Sequence, residues 1–214
     1  MRNILSKNQK TSLNGKKKDA QSLEDIAVFR AIPGMTVISP ADCGETSKAV
    51  FAAAKYNRPV YIRLTGGTNN EIVYKNNYDF EIGKAIIISK GFDVTFIGIG
   101  ETVQRAVLAS KILQKENISS TVVSMHTLKP FDENTFLKSL EKSKVLISLE
   151  EHSINGGLGE KCASIISQKN IKIPFKIIGI PDEYMLNGSQ QDVLDHYDMK
   201  PEKLSNIAKM MLKK

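Results

Sequence analysis

Early in the chain, apolar positions alternate between helical and strand spacing. Leu23, Ile26, Ala27 and Ala31 recur at helical intervals, with Ser22 placed as N-cap and acidic Glu24 and Asp25 in the first turn. This pattern predicts a helix ended by Pro33-Gly34, followed by a short strand from Met35 to Ser39 that stops at Pro40. A second helix is expected over Gly44 to Tyr56, with Ala49, Val50, Ala53 and Ala54 on one face, small enough to pack closely on a sheet. Pro59 to Leu64 then reads as a strand, and parallel strands joined through a helix make a βαβ unit. Thr65 to Asn77 is rich in glycine and asparagine around Ile72, Val73 and Tyr74, so it reads as a linker with a domain boundary near Asn76.

From Phe80 onward the alternation is regular. Strands are expected at Ala85 to Ser89, Val94 to Ile99, Ser120 to His126, Val145 to Leu149 and Phe175 to Ile180. Helices are expected at Thr102 to Glu116, Glu133 to Lys142, Leu158 to Gln168 and Pro201 to Leu212. Near-continuous apolar strands between amphipathic helices predict a mostly parallel sheet covered on both faces. The fold class is α/β: a partial parallel βαβ half-domain over 20–76, then a three-layer α/β domain over 77–214.

Charge changes the picture at one end only. The 214 residues carry a formal net charge of +7. Arg2, Lys7, Lys10, Lys16, Lys17 and Lys18 all precede the first acidic residue, Asp19, which leaves 24 basic against 23 acidic side chains in the remainder. Residues 1–19 therefore read as a basic, solvated and disordered leader, favoured over a nucleic-acid or membrane-surface arm because no aromatic residue is interleaved with the lysines. The leader lacks the apolar core of a secretory signal, and no apolar run approaches the length of a membrane span. Cys43 and Cys162 are too far apart for a CxxC metal site and read as reduced, buried thiols of a cytoplasmic protein.

Several candidate chemical groups stand in this frame. Glu150 to Gly159, EEHSINGGLG, follows a strand and opens a helix, where glycines let backbone amides approach an anion. The spacing fits neither GxGxxG nor the P-loop, and glycines serving a tight turn and close helix–sheet packing are the favoured reading. His126 and His152 fall at strand C-termini, but no third ligand type clusters with them, so structural or interface roles are favoured over a metal site. Glu150 and Glu151, adjacent on a strand, point to opposite faces, which argues against a shared acid–base site. His196 lies in a polar region and carries no argument.

SLEDIAVFRAIPGMTVISPAD, DVTFIGIG, SMHTLKPFDE and SLEEHSINGGLGEK together resemble the transketolase family, in particular the C-terminal subunit of split bacterial transketolases, over roughly Ala20 to Leu212. The resemblance implies the second half of a pyrimidine-binding domain followed by a whole C-terminal domain, without the glutamate that activates thiamine diphosphate. It also implies a ketol transferase of carbohydrate and pentose phosphate metabolism, with thiamine diphosphate and magnesium held in the assembled enzyme. The chain has no GDG…N-type motif, so none is expected to bind to the isolated chain. The implied partners are an N-terminal transketolase-like subunit, a second copy through the C-terminal domain, and a sugar or sugar phosphate; neither nucleic acid nor a membrane is implied.

Two departures from the family pattern concern the substrate. Split transketolases read T-H-Q-S where this chain has Asp19-Ala-Gln-Ser22, so Ala20 replaces a substrate-contacting histidine. They also carry RLxR where this chain has Arg63-Leu-Thr-Gly66, so Gly66 replaces the arginine that binds the substrate phosphate, a charge-assisted contact of roughly 1.5–3 kcal/mol. Arg63, three residues earlier, faces the other side of the strand and is a poor substitute. The resemblance places Gln21 and Ser22 near the substrate channel and Asp42 and Glu45 in a helix-capping network. It assigns no catalytic residue, no metal ligand and no named cofactor-binding residue. A non-catalytic remnant or interaction subunit is the alternative reading, and a deoxyxylulose-phosphate-synthase-like fragment a weaker third.

Overall fold

A computed structural model of the chain describes residues 23–64, 72–74, 77–183 and 190–213, and the backbone alone of Ile4–Leu5 (β1), Lys10–Leu13 (β2) and Lys16–Asp19 (β3). The first part continues with α1 (Asp25–Ala31), β4 (Thr36–Ile38), α2 (Cys43–Lys55) and β5 (Val60–Ile62). β4 and β5 are parallel, as the βαβ pattern requires, while β2 and β3 pair antiparallel and β1 lies parallel to β5. Helix α1 begins at Asp25, and its N-cap residue Glu24 makes no side-chain cap bond; Ser22, expected as the cap, lies outside the described residues.

The second part contains β6 (Ile86–Ser89), β7 (Val94–Gly98), α3 (Thr102–Lys115), β8 (Ser120–Ser124), β9 (Thr127–Lys129), α4 (Glu133–Leu140), β10 (Val145–Ser153), α5 (Leu158–Gln168), β11 (Phe175–Ile180), α6 (Gln190–His196) and α7 (Pro201–Leu212). Its sheet has the order β11-β10-β7-β8-β6, parallel except for β6, which runs antiparallel to β8. Strand alternation sorts the core into two layers. Val94, Phe96, Ile147 and Leu149 meet α3, α6 and α7 on one face. Ile97, Val123, Met125 and Leu146 meet α4 and α5 on the other, joined there by Ile26, Val37 and Tyr61 of the first part.

The two parts share more than a core. β9, a stretch to which the sequence pattern assigns no element, pairs antiparallel with β4 and gives the first sheet the order β1-β5-β4-β9. β10 runs to Ser153, past the expected end at Leu149, because Glu150, Glu151 and His152 are buried among partners rather than solvated. On α2 the buried stripe is Glu45, Ala49 and Ala53, one residue per turn, while Val50 and Ala54 face outward. Cys162 is buried as expected, but Cys43 opens α2 and is exposed.

Candidate functional site

In open α/β sheets, ligands lie outside the carboxyl ends of the strands where the strand order reverses. Here the reversal falls between β7 and β10, whose following helices, α3 and α5, cover opposite faces. The chain's own side chains fill this crevice. Gln190, opening α6, donates from Nε2 to Glu101 Oε2 at 2.5 Å and to Glu151 Oε1 at 2.9 Å. Arg63 enters from the end of β5, with Nη1 3.3 Å from Glu151 Oε2 and Nε 3.3 Å from Asp25 Oδ2. The Tyr61 hydroxyl donates to the same Asp25 carboxylate. Arg105 of α3 pairs with Asp195 of α6 at 2.9 Å and also donates to Gln191 Oε1. Asp25, Arg63, Glu101, Arg105 and Glu151 are all buried, so this cluster is a polar joint between the two parts of the chain.

Burial sets the electrostatics of the joint. Loss of solvent, aided by the neighbouring Glu151 charge, pushes the Glu101 carboxyl up to about 8 against the opposing pull of Arg105 and Arg63. Burial opposes the Arg63 charge, but Glu151 and Asp25 outweigh it and hold the guanidinium above its ordinary value. A carboxyl whose pKa rises on folding stabilises the fold below its unfolded value and loses that contribution as pH climbs through the folded one. Glu101→Gln should therefore leave stability at pH 5 unchanged and add on the order of 1–2 kcal/mol at pH 8.5, flattening the decline between them. Chemical denaturation at both pH values checks this; an unchanged pH slope would sink it.

The residues singled out by sequence fall in different places. Gln21 and Ser22, like Ala20 and Gly66, lie outside the described residues. Asp42 caps α2 by accepting from the Glu45 amide at 2.8 Å, and its other oxygen accepts from the Val73 amide at 2.8 Å. Glu45 reaches back to the Ala41 amide at 2.6 Å and accepts from the Tyr74 hydroxyl at 2.7 Å, in a reciprocal capping arrangement. Burial raises the Glu45 carboxyl to about 7 despite those donors. The pair thus closes a helix end and pins the chain at Val73 and Tyr74. Arg63 is held in its buried ion pairs with Asp25 and Glu151.

The glycine loop does receive an acidic group, and that group belongs to the chain. Glu150 accepts from the amides of Leu158 at 2.6 Å and Gly159 at 2.9 Å at the N-terminus of α5. A Cβ on Gly157 would lie 1.8 Å from Glu150 Oε2, and Gly156 has φ +76 with Ala27 close by. Burial raises the Glu150 carboxyl to about 8 against the two amides. Glu151 points the other way, to Arg63 and Gln190, so the adjacent carboxylates do not meet. His152 donates from Nδ1 to the Ser153 carbonyl at 2.6 Å, leaving Nε2 to accept from the Ala27 amide in the first turn of α1. Burial lowers its pKa, so its 3.9 Å approach to Glu150 is no ion pair at neutral pH. His126 is buried, stacked on Phe80, and pushed down to about 4 by that burial. Both histidines are buried. Among the described residues no three His, Cys, Asp or Glu side chains gather where a metal ion would be held.

Sequence reasoning missed Asp25, Glu101 and Gln190 as members of the joint. For Arg63, Glu101 and Glu151 a signal exists: each charge follows an apolar strand at its carboxyl end. Gln190 gives no such signal, since its role depends on where α6 docks.

With this architecture in place, comparison with known proteins is decisive. Residues 83–204 match the family described as transketolase, C-terminal domain, and residues 12–69 match transketolase, pyrimidine binding domain. The chain belongs to the transketolase family. The pyrimidine-domain match begins ahead of the Ala20 start that the motifs suggested. The chain is 35% identical over 193 residues to an apulose-4-phosphate transketolase subunit of Phocaeicola vulgatus, covering 90% of this chain and 61% of that protein. It is 37% identical over 196 residues to a putative transketolase C-terminal section of Methanocaldococcus jannaschii, covering 91% and 61%. A solved structure described as a split gene transketolase, inactive beta4 tetramer, superimposes with a TM-score of 0.82 at 32% identity, over 90% of this chain and 63% of that one. This transketolase-family chain thus spans 61% of the length of each of these two relatives. No described helix is long and apolar enough to cross a membrane.

Proposed function

We propose that this chain is the C-terminal component of a thiamine-diphosphate-dependent ketol transferase, active only with an N-terminal transketolase-like subunit. The observation that carries this reading is the pairing, in one chain, of a pyrimidine-domain segment and a C-terminal domain that superimposes on a split gene transketolase. The crevice at the β7–β10 edge is filled by Arg63, Gln190 and carboxylates of the chain itself, so the reading places the chemistry at the joint with partner chains. The described residues supply no cluster fitted to magnesium, and the cofactor's pyrophosphate and metal would be held by the partner. In the assembly the cofactor would supply a stabilised carbanion for two-carbon transfer. This chain would contribute one wall of the substrate channel through Gln21 and Ser22, dimerise through its C-terminal domain and work in the cytoplasm on a sugar or sugar phosphate.

The second reading, a non-catalytic interaction subunit, rests on Ala20 and Gly66 standing where the family pattern has substrate-binding histidine and arginine. Reconstitution separates the two. Mixed with its N-terminal partner, thiamine diphosphate and magnesium, the chain should restore ketol transfer from a ketose donor to an aldose acceptor. Titrated alone in a calorimeter, it should show no micromolar binding of the cofactor. Such binding by the lone chain would overturn the division of labour. An assembly that forms yet transfers nothing would establish the second reading.

A further inference from the structure

On the face of the first part that meets β9 and α5, a cavity of about 310 Å³ is lined by Arg30, Leu128, Lys129, Phe131, Glu133 and Lys161. Three cations from three separate elements surround it. Arg30 donates from Nη1 to the carbonyls of Gly156 and Gly157, both at 2.6 Å, which leaves its Nε and Nη2 donors toward other partners. Lys129 donates to the carbonyls of Arg30 and Ile32 at 2.8 and 2.7 Å, closing the C-terminus of α1. Lys161 lies 5.8 Å above the Phe131 ring. None of the three forms an ion pair with a carboxylate among the described residues, and the only acid in the lining, Glu133, is paired with Lys169 at 3.2 Å.

Capping explains part of this but not the charge. Backbone carbonyls carry only partial charges, so the full charges of Arg30 and Lys129 are not paired by them, and the carboxyl that the Arg30 charge reaches, Glu150, is itself turned to the amides of α5. Lys161 caps nothing. The capping bonds do fix Arg30 and Lys129 in place, which reduces the ordering cost of a ligand. The volume is at the lower end of small-molecule sites, too small for a polymer and large enough for a compact metabolite.

We propose that this cavity binds a small organic phosphate, with the phosphoryl dianion among Arg30, Lys129 and Lys161 and the carbon skeleton against Leu128 and Phe131. Two net positive charges in the lining match a phosphoryl dianion, and the planar guanidinium fork suits its oxygens. The apolar wall selects an organic ester over the bare ion. Because α1 also carries Asp25, which holds Tyr61 and Arg63, a ligand at its C-terminal end bears on the same helix that anchors the joint. The site requires neither a partner subunit nor ketol-transfer activity.

Calorimetric titration of the full chain tests it, with glycerol 3-phosphate as probe, inorganic phosphate as the bare anion and glycerol as the uncharged control. Saturable binding of glycerol 3-phosphate is expected, weaker for inorganic phosphate, absent for glycerol, and falling as salt is raised. Lys161→Glu should weaken it by about tenfold or more. That substitution should change the melting temperature by little, since the Lys161 ammonium makes no hydrogen bond or ion pair among the described residues and only a distant contact with the Phe131 ring, and Lys161→Arg should retain binding. Absence of saturable binding, equal binding by Lys161→Glu, or inorganic phosphate binding as tightly as the ester would each overturn the proposal.

Discussion

Gly157→Ala should lower the melting temperature by roughly 5–15 °C, the equivalent of about 2–5 kcal/mol for a chain of this size. The backbone at Gly157 is extended (φ −93, ψ −154) and any residue adopts it, so the cost is one of space. The added methyl would fall 1.8 Å from Glu150 Oε2 and 2.6 Å from its Cδ. An exposed glutamate would swing aside cheaply, but Glu150 is 0% exposed and holds the amides of Leu158 and Gly159. Moving it strands two buried donors and a buried carboxyl. If the clash with Glu150 is the cause, the alanine should cost much less in a Glu150→Ala background, because the two sites then no longer couple. Thermal melts of the four proteins of this cycle decide the matter. A Gly157→Ala chain that melts like the parent, or a cost that persists in full without Glu150, would show the argument to be wrong.

In an active assembly, Gly66→Arg should lower the apparent KM for a phosphorylated acceptor by about ten- to a hundredfold, the equivalent of roughly 1.5–3 kcal/mol. The resemblance sets Gly66 against the family's phosphate arginine in the pattern RLxR. The nearby cation that could have replaced it is committed elsewhere, since Arg63 is buried between Asp25 and Glu151. Unphosphorylated acceptors should change little, because they offer no dianion to the new guanidinium. Steady-state kinetics with matched sugar and sugar-phosphate pairs measure the difference. A strong preference for the phosphorylated acceptor in the unaltered protein would mean that another cation serves, or that position 66 is misaligned.

The sequence pattern was legible wherever a local rule governs. Apolar period and punctuation located every long helix and strand of the second part, and Asp42 with Glu45 announced a reciprocal cap that the structure contains. Opposite-facing Glu150 and Glu151 followed from strand alternation alone. What stayed hidden depends on contacts between distant segments. Thr127–Lys129 is three residues of mixed polarity, and nothing local marks them as a strand until β4 lies alongside. The apolar run ends at Leu149, and only the facing amides, Arg63 and α1 extend the buried strand through the polar residues Glu150 to His152. The same holds for the joint: Glu101, Glu151 and Gln190 meet because two sheets and a terminal helix converge.

The antiparallel pairing of β9 with β4 also fixes an order of events during synthesis. When Thr36–Ile38 leaves the ribosome, one of its edges has no neighbour, and the residues that will cover it, Thr127–Lys129, have yet to be translated. Until then β4 presents an open strand edge that invites pairing with another chain. The long closure between the two strands adds a non-local contact of the kind that slows folding. Nascent chains of this protein therefore pass through a window of vulnerability that closes only when the second sheet has begun to form, and a stall in translation between the two strands would prolong it.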